Sequence, residues 1–446
     1  MSADTQALAL EACAWMAAQS PQTQSEAYLS RSEERSLSRR EGAREAVETA
    51  AALGAGVRVV RDGRVGFASA GGADLETLKG LWRRAVEQLP HAEAEKGRQL
   101  PAPVSDQEDS ALASSLWDET LFARPWKDLD ERLILAESSA REGGRVLRAE
   151  LAECRGEVVV ASTRGVLSRE RGGSASIEVS VAAEGGGSAQ VGEGFRIARR
   201  FADLDALAAG AEAARRAAAG VDARRVRPGR RAVLFEPWVA AEFLELLADL
   251  LSAEEVQGGR SLLAGRLGER VASPLVTLRD DPRRLGGPAS ARFDDEGLPT
   301  RDKAMIEGGI LREYFHDSAT AARATVPSNA CGYRESWRGL PRPGPSNLYL
   351  AAGRAAREAV VSDTRDGLML MEVLGIHMVD PVSGEFSVGV SGYEVEKGSI
   401  GRPFRGAMVS GNLLEMLARV DAVASDLSLV GSFGAPTFRV SALDVA

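Results

Sequence analysis

The spacing of apolar and polar residues changes period several times along the chain, and each change marks an element. Residues 4 to 18 place apolar side chains at helical spacing; "SEAYLSRSEE", "RSLSRREGA" and "GVRVVRDGRVGFAS" then alternate as strands do, with an Asp62-Gly63 turn in the last. "DLETLKGLWRRAVEQL" returns to helical spacing behind an Asp74 cap. After a stretch rich in Pro, Asp, Glu and Ser, the order repeats. "LDERLILAESSAREGG" reads as a helix, "RVLRAELAEC", "GEVVVASTRGVLSRE", "SASIEVSVAAE" and "FRIARRF" as strands, and "DLDALAAGAEAARRAAAG" as a closing helix. A helix–strands–helix order met twice points to an internal duplication.

Beyond residue 231 the texture differs. "AVLFEP" reads as a strand and "EFLELLADLL" as a helix, followed by short strands punctuated by glycine. "GEFSVGVSGYEVEKGSIGRPFRGAMVSG" alternates about a Lys397-Gly398 turn, as an antiparallel hairpin does, and "NLLEMLARVDAVASDL" reads as one helix capped by Asn412. The expected fold is α+β: N-terminal helix and antiparallel-sheet repeats, then a β-rich C-terminal domain. Its expected divisions are 1–90 (first α/β domain), 91–127 (connector), 128–225 (second α/β domain) and 226–446 (C-terminal domain).

With 446 residues, 44% hydrophobic and 27% charged, the chain has enough apolar material for a large core. Cys13, Cys154 and Cys331 form no CxxC pair and leave an odd thiol, which suits a reducing compartment. The start carries no secretory pattern and no apolar run reaches about twenty residues, so a cytoplasmic protein with no membrane association is expected. A net charge of −9 opposes nucleic acid; the basic run "RRAAAGVDARRVRPGRR" has seven arginines but no aromatic residue to stack on bases, and reads as a solvated helix end and linker.

Candidate chemistry is sparse. His91, His316 and His377 stand far apart, so no short zinc motif exists, and there is no G-x-S-x-G elbow. "GGGSAQVGEG" lacks the Lys-Ser/Thr ending of a phosphate loop and reads as a flexible hairpin tip. Two acidic groups remain. Asp294, Asp295 and Glu296 in "RFDDEGLPT" are hard-cation ligands by type but fit a turn equally well. Glu242, Glu245 and Asp249 fall within about 60° on a helical wheel, opposite a leucine-rich face.

The ordered series "VLFEPWVAAEFLELLADLL", "GGRSLLAGRLGERVASPLVTLRDDP", "ARFDDEGLPTRDKAMIEGGILREYFHD", "TVPSNACGYRES", "SGEFSVGVSGYEVEKGSIGRPFRGAMVSGNLLEML" and "GAPTFRVSALDV" resembles the TldD/PmbA family. "GVRVVRDGRVGFAS" is similar to the family's first domain. In that family TldD is a zinc metallopeptidase with His-Glu-x-x-x-His on the helix after "VLFEP", plus a cysteine near the C-terminus. Here the motif falls on residues 245 to 250, occupied by Glu245, Leu246, Leu247, Ala248, Asp249 and Leu250, and no cysteine follows Cys331. The resemblance therefore points to the PmbA (TldE) branch, which lacks the motif.

What the resemblance implies is a non-catalytic subunit of a TldD/TldE-type complex that cleaves peptides or unfolded segments. The implied partner is a TldD-like subunit holding the zinc, with no cofactor in this chain; purified alone, the chain is expected to be a homodimer. The expected substrate cleft comprises Glu245, Asp249, Asp294, Asp295, Glu296 and Arg334. Two other readings are kept: a stand-alone hydrolase with a carboxylate-bound metal, and a regulatory binding protein of the DNA gyrase modulator kind.

Overall fold

Alternation sustained over unusually long strands builds the N-terminal half. The computed structural model describes residues 4–105, 109–185 and 188–446. Helix α1 (Thr5–Gln19) is capped by the Asp4 carboxylate and leads into strands β1 (Gln24–Arg40), β2 (Ala43–Arg61) and β3 (Arg64–Gly71), then helix α2 (Leu75–Gln88), capped by Asp74. The connector holds a short helix α3 (Ser110–Ser115). Helix α4 (Trp126–Ala140), strands β4 (Arg145–Ser162), β5 (Leu167–Gly185) and β6 (Ser188–Ala198), and helix α5 (Ala206–Ala218) repeat the first set. Asp62 and Gly63, with φ of 52° and 76°, make the left-handed turn expected between β2 and β3.

Both repeats enter one six-stranded sheet, ordered β3-β2-β1-β4-β5-β6, in which β1 pairs antiparallel with β4. The order reads the same way outward from its centre, as expected of a duplicated unit joined about a pseudo-two-fold axis. Strand boundaries differ from the expected ones. "SEAYLSRSEE" and "RSLSRREGA" are one strand, β1, and β2 reaches back from residue 56 to 43. Polar residues at alternate positions read like strand breaks, but they face the rest of the molecule. Odd-numbered Ala27, Leu29, Val57 and Val59 pack under α1 and α2, whereas even-numbered Glu26, Tyr28 and Arg58 occupy the opposite face. Gly186 and Gly187 of the expected hairpin tip lie outside the described residues.

The helices sit close to the sheet because of glycine. A Cβ on Gly194 of β6 would lie 2.0 Å from the Ala209 carbonyl oxygen of α5, and one on Gly66 of β3 would lie 1.9 Å from that of Ala85 in α2. Alanines at 206, 209, 213 and 217 complete the α5 contact, which explains the helix's alanine-rich sequence.

In the C-terminal half, strand β7 (Gly229–Phe235) pairs in parallel with Asp366–Leu374 and antiparallel with Phe438–Val445. Glu385–Glu396 and Ser399–Asn412 continue the sheet, and Val409 opposite Val445 closes the ring into a barrel. Lys397 and Gly398, with φ of 52° and 78°, form the expected turn. A second sheet runs from Ile310–Leu311 to Ser428–Val430. Helix α6 (Pro237–Leu251) joins the two: Phe243 meets Phe235 of β7 edge-on at 5.2 Å and packs against Phe386 of the barrel. The helix expected from Asn412 ends at Ala418, and Val420–Val423 is instead a strand on the barrel's edge. Two β-branched residues and an ion pair between Asp421 and Arg439 on the neighbouring strand override the helical spacing there.

The glycine contacts yield a stability test. Gly194→Val should lower the unfolding free energy by about 3 kcal/mol, since the side chain would have to displace helix backbone. Urea denaturation of the full chain measures this.

Candidate functional site

The face of the N-terminal sheet opposite its helices carries cross-strand neighbours Glu26 and Arg58, and there it meets the C-terminal domain. Arg58 donates to Glu26 at 2.5 Å and to Glu296 of the C-terminal domain at 2.8 Å. Glu26 uses its other oxygen to accept from Arg334. Tyr28 donates to Asp295 at 3.1 Å, the Arg334 backbone N–H donates to the same carboxylate at 2.8 Å, and the Arg334 guanidinium lies over the Tyr28 ring. Arg58 and Glu26 are each 1% exposed and Glu296 not at all.

Each charge here is held by partners, as burial requires. Burial alone would raise the Glu296 carboxyl, but the Arg58 charge and two Ser318 hydrogen bonds outweigh it and hold the pKa below the usual range. Burial also works against the Arg58 charge, yet its two carboxylates raise its pKa. Asp295 moves up, mainly through burial. Asp294 accepts backbone N–H bonds from Glu296, Leu298 and Gly332, which folds "RFDDEGLPT" into a tight turn.

Four of the six sequence-derived cleft residues, Asp294, Asp295, Glu296 and Arg334, are thus gathered at one interdomain seam. Glu245 and Asp249 lie elsewhere, on the exposed side of α6. The oxygens of Asp294, Asp295 and Glu296 each point at a different protein donor. Among the described residues no group of three His, Cys, Asp or Glu side chains is placed to hold a metal ion.

Helix α6 includes residues 245–250, the positions where the resemblance implies a zinc motif. Leu250, at the second histidine position, is 1% exposed and belongs to the core with Phe243 and Leu247, while Glu245, at the first, faces out. A buried aliphatic side chain and an outward carboxylate do not make a zinc site. The residues present do not fit the metal.

The start of α6 holds groups that sequence reasoning passed over. Glu236, 2% exposed, accepts from Arg215 of α5 at 2.7 Å and Arg216 at 2.9 Å, and Arg216 lies 4.4 Å from the centre of the Trp238 ring. Glu242, on the same helix, is pushed up to about 7, chiefly by burial, against the pull of Arg216 and a Trp238 hydrogen bond and with repulsion from Glu372 and Glu245. The signal was available in "VLFEP": a charged residue closing an apolar strand just before a helix-starting proline must have a partner. The basic run divides accordingly. Arg215, Arg216 and Arg231 are paired internally, while Arg224, Arg225, Arg227 and Arg230 are exposed.

Two measurements follow. Arg58→Met would leave Glu26 and Glu296 facing each other without their shared cation and should cost about 3–5 kcal/mol in urea unfolding. Because the folded pKa of Glu242 lies above its unfolded value near 4.5, its contribution to stability is fully present below that value and is lost as pH rises through about 7. Glu242→Gln should therefore stabilise the fold by about 2 kcal/mol at pH 8.5 and leave it unchanged at pH 4.

Comparison with known proteins places the whole arrangement. The PmbA/TldA metallopeptidase domain 1 profile matches residues 25–89, the central-domain profile 101–221 and the C-terminal-domain profile 228–446. A metalloprotease TldD homolog of Haemophilus influenzae is 28% identical over 390 residues, covering 84% of this chain and 80% of its own. A candidate modulator of a DNA gyrase from Thermotoga maritima MSB8 superposes with a TM-score of 0.88 at 24% identity, over 98% of this chain and 100% of that one. TldE from Thermococcus kodakarensis gives 0.82 at 20% identity, over 95% and 96%. These two structures share the fold. With all three domain profiles matched in order along one chain, this protein belongs to the PmbA/TldD metallopeptidase family.

Proposed function

We propose that this chain is a non-catalytic subunit of a TldD/TldE-type zinc metallopeptidase complex, in which a TldD-like partner holds the zinc and this chain contributes to partner and substrate binding. The substrates are peptides or unfolded segments. The observation that carries this reading is α6: where a TldD subunit has His-Glu-x-x-x-His, this chain has Glu245, Leu246 and Leu250, with Leu250 in the core. A second support is the preserved architecture around that helix. Glu236 with Arg215 and Arg216, and Arg58 with Glu26 and Glu296, keep the central and N-terminal parts docked on the C-terminal domain. A subunit that has lost its metal ligands but retains its scaffold is suited to complete another subunit's cleft. The hydrolase alternative finds no support at Asp294, Asp295 and Glu296, whose oxygens already have protein partners.

Co-expression with a histidine-motif paralogue, followed by size-exclusion chromatography and elemental analysis, tests the proposal. The expected outcome is co-elution, about one zinc per pair assigned to the paralogue, and peptidase activity that depends on both chains. Stoichiometric zinc in this chain alone, with chelator-sensitive cleavage, would overturn it.

A further inference from the structure

Arg98 of the connector is a buried cation whose guanidinium makes no hydrogen bond among the described residues. Its side chain is 9% exposed, and its nearest carboxylate, Glu95, is 3.7 Å away and shared with Arg323 at 3.4 Å. Glu296 and Asp317 attract it through space but form no ion pair with it, Glu296 being held by Arg58 and Ser318. Burial and the like charge of Arg58 both pull its pKa down. A guanidinium has five N–H donors, and leaving them all unmet under burial is costly. None of its nitrogens is sealed from solvent, so these donors open on the space beside them.

That space is a groove of about 530 Å³ between the β2–β3 turn and the connector. Backbone bonds set its walls: Glu95 N–H donates to the Gly63 carbonyl at 2.9 Å, Arg98 N–H to the Glu95 carbonyl at 3.2 Å, and Leu100 N–H to the Gln24 side-chain carbonyl at 2.8 Å. A Cβ on Gly63 would lie 2.4 Å from the Glu95 carbonyl oxygen, so turn and connector touch directly. The charged side chains lining the groove are Arg61, Lys96 and Arg98 against Asp62 and Glu95. Among the described residues the Arg61 and Lys96 side chains have no partner, and Arg323 offsets Glu95. Gln24, its amide oxygen engaged, has two N–H donors left. In a chain of net charge −9 this groove has an excess of cations and of unused donors.

We propose that this groove is a binding site for a phosphate dianion, free or carried on a small phosphate monoester, with Arg98 as its central ligand and Arg61, Lys96 and the Gln24 amide around it. A planar guanidinium offers a tetrahedral oxyanion two parallel N–H donors. The two further cations match a second negative charge, which a single carboxylate lacks. No aromatic side chain lines the groove, so a nucleotide would find nothing on which to stack its base. Bound there, phosphate offsets the repulsion between Arg98 and Arg58 and so strengthens the seam that docks the two halves of the chain. The site uses none of the α6 residues and does not rest on the zinc-partner reading.

The test uses the full-length chain in phosphate-free buffer of constant ionic strength, by isothermal titration calorimetry and thermal unfolding. Inorganic phosphate and glycerol 3-phosphate are the probes, and the tighter of the two identifies the source; adenosine monophosphate tests for base recognition. The wild type should bind at least one of the first two saturably, with a dissociation constant of about 1 mM or lower. At ten times that concentration its unfolding temperature should rise by about 2 °C. Arg98→Met should weaken binding about 10-fold or more. Without phosphate the same variant should unfold no earlier than the wild type, because it removes an unmet buried charge; an arginine with a merely structural role would give the reverse. Lys96→Gln, at an exposed position, should weaken binding about 3-fold and leave the unfolding temperature unchanged, and it stays readable even if Arg98→Met folds poorly. The proposal is overturned by an absence of saturable phosphate binding, by a response that chloride at equal ionic strength reproduces, or by binding undiminished in Arg98→Met. Adenosine monophosphate bound ten times more tightly than both probes would overturn the ligand class.

Discussion

Arg58 is the residue on which the relative placement of the two halves depends. It stands between Glu26 of its own sheet and Glu296 of the C-terminal domain, with all three side chains essentially without solvent. A guanidinium suits this place because its fork reaches two carboxylates at once and stays charged when buried. Arg334 and Tyr28 extend the same contact from opposite sides, and Asp294 shapes the turn that presents Glu296. The pairs are directional and leave no free charge, so they specify one docking geometry; an apolar seam would be more permissive.

That seam changes the meaning of the acidic cluster. Carboxylates concentrated on a turn invite a metal or substrate reading, yet the oxygens of Asp295 and Glu296 serve partners distant in sequence, and Asp294 closes the turn itself and holds Gly332. The α6 stripe divides in a comparable way. Glu245 and Asp249 face outward, while Glu242 is drawn into a partly buried environment beside Arg216 and Trp238. At positions 245 and 250, Glu245 faces solvent and Leu250 packs in the core.

Much of this protein was legible in its sequence. Helix caps at Asp74 and Asn412, the left-handed turns at Asp62-Gly63 and Lys397-Gly398, and the repeated helix–strands–helix order depend on contacts within a few residues or on side-chain periodicity, and both are written directly in the chain. The family could be read from the order of motifs. Only tertiary structure decided the rest. Whether "RVDAV" is helix or strand turned on the neighbouring strand that carries Arg439; the union of two repeats in one sheet turned on β1 meeting β4; and the role of Glu296 turned on Arg58, 238 positions away. Local pattern states which face of an element is apolar or charged, but the partner that satisfies that face is set by the folded path of the chain.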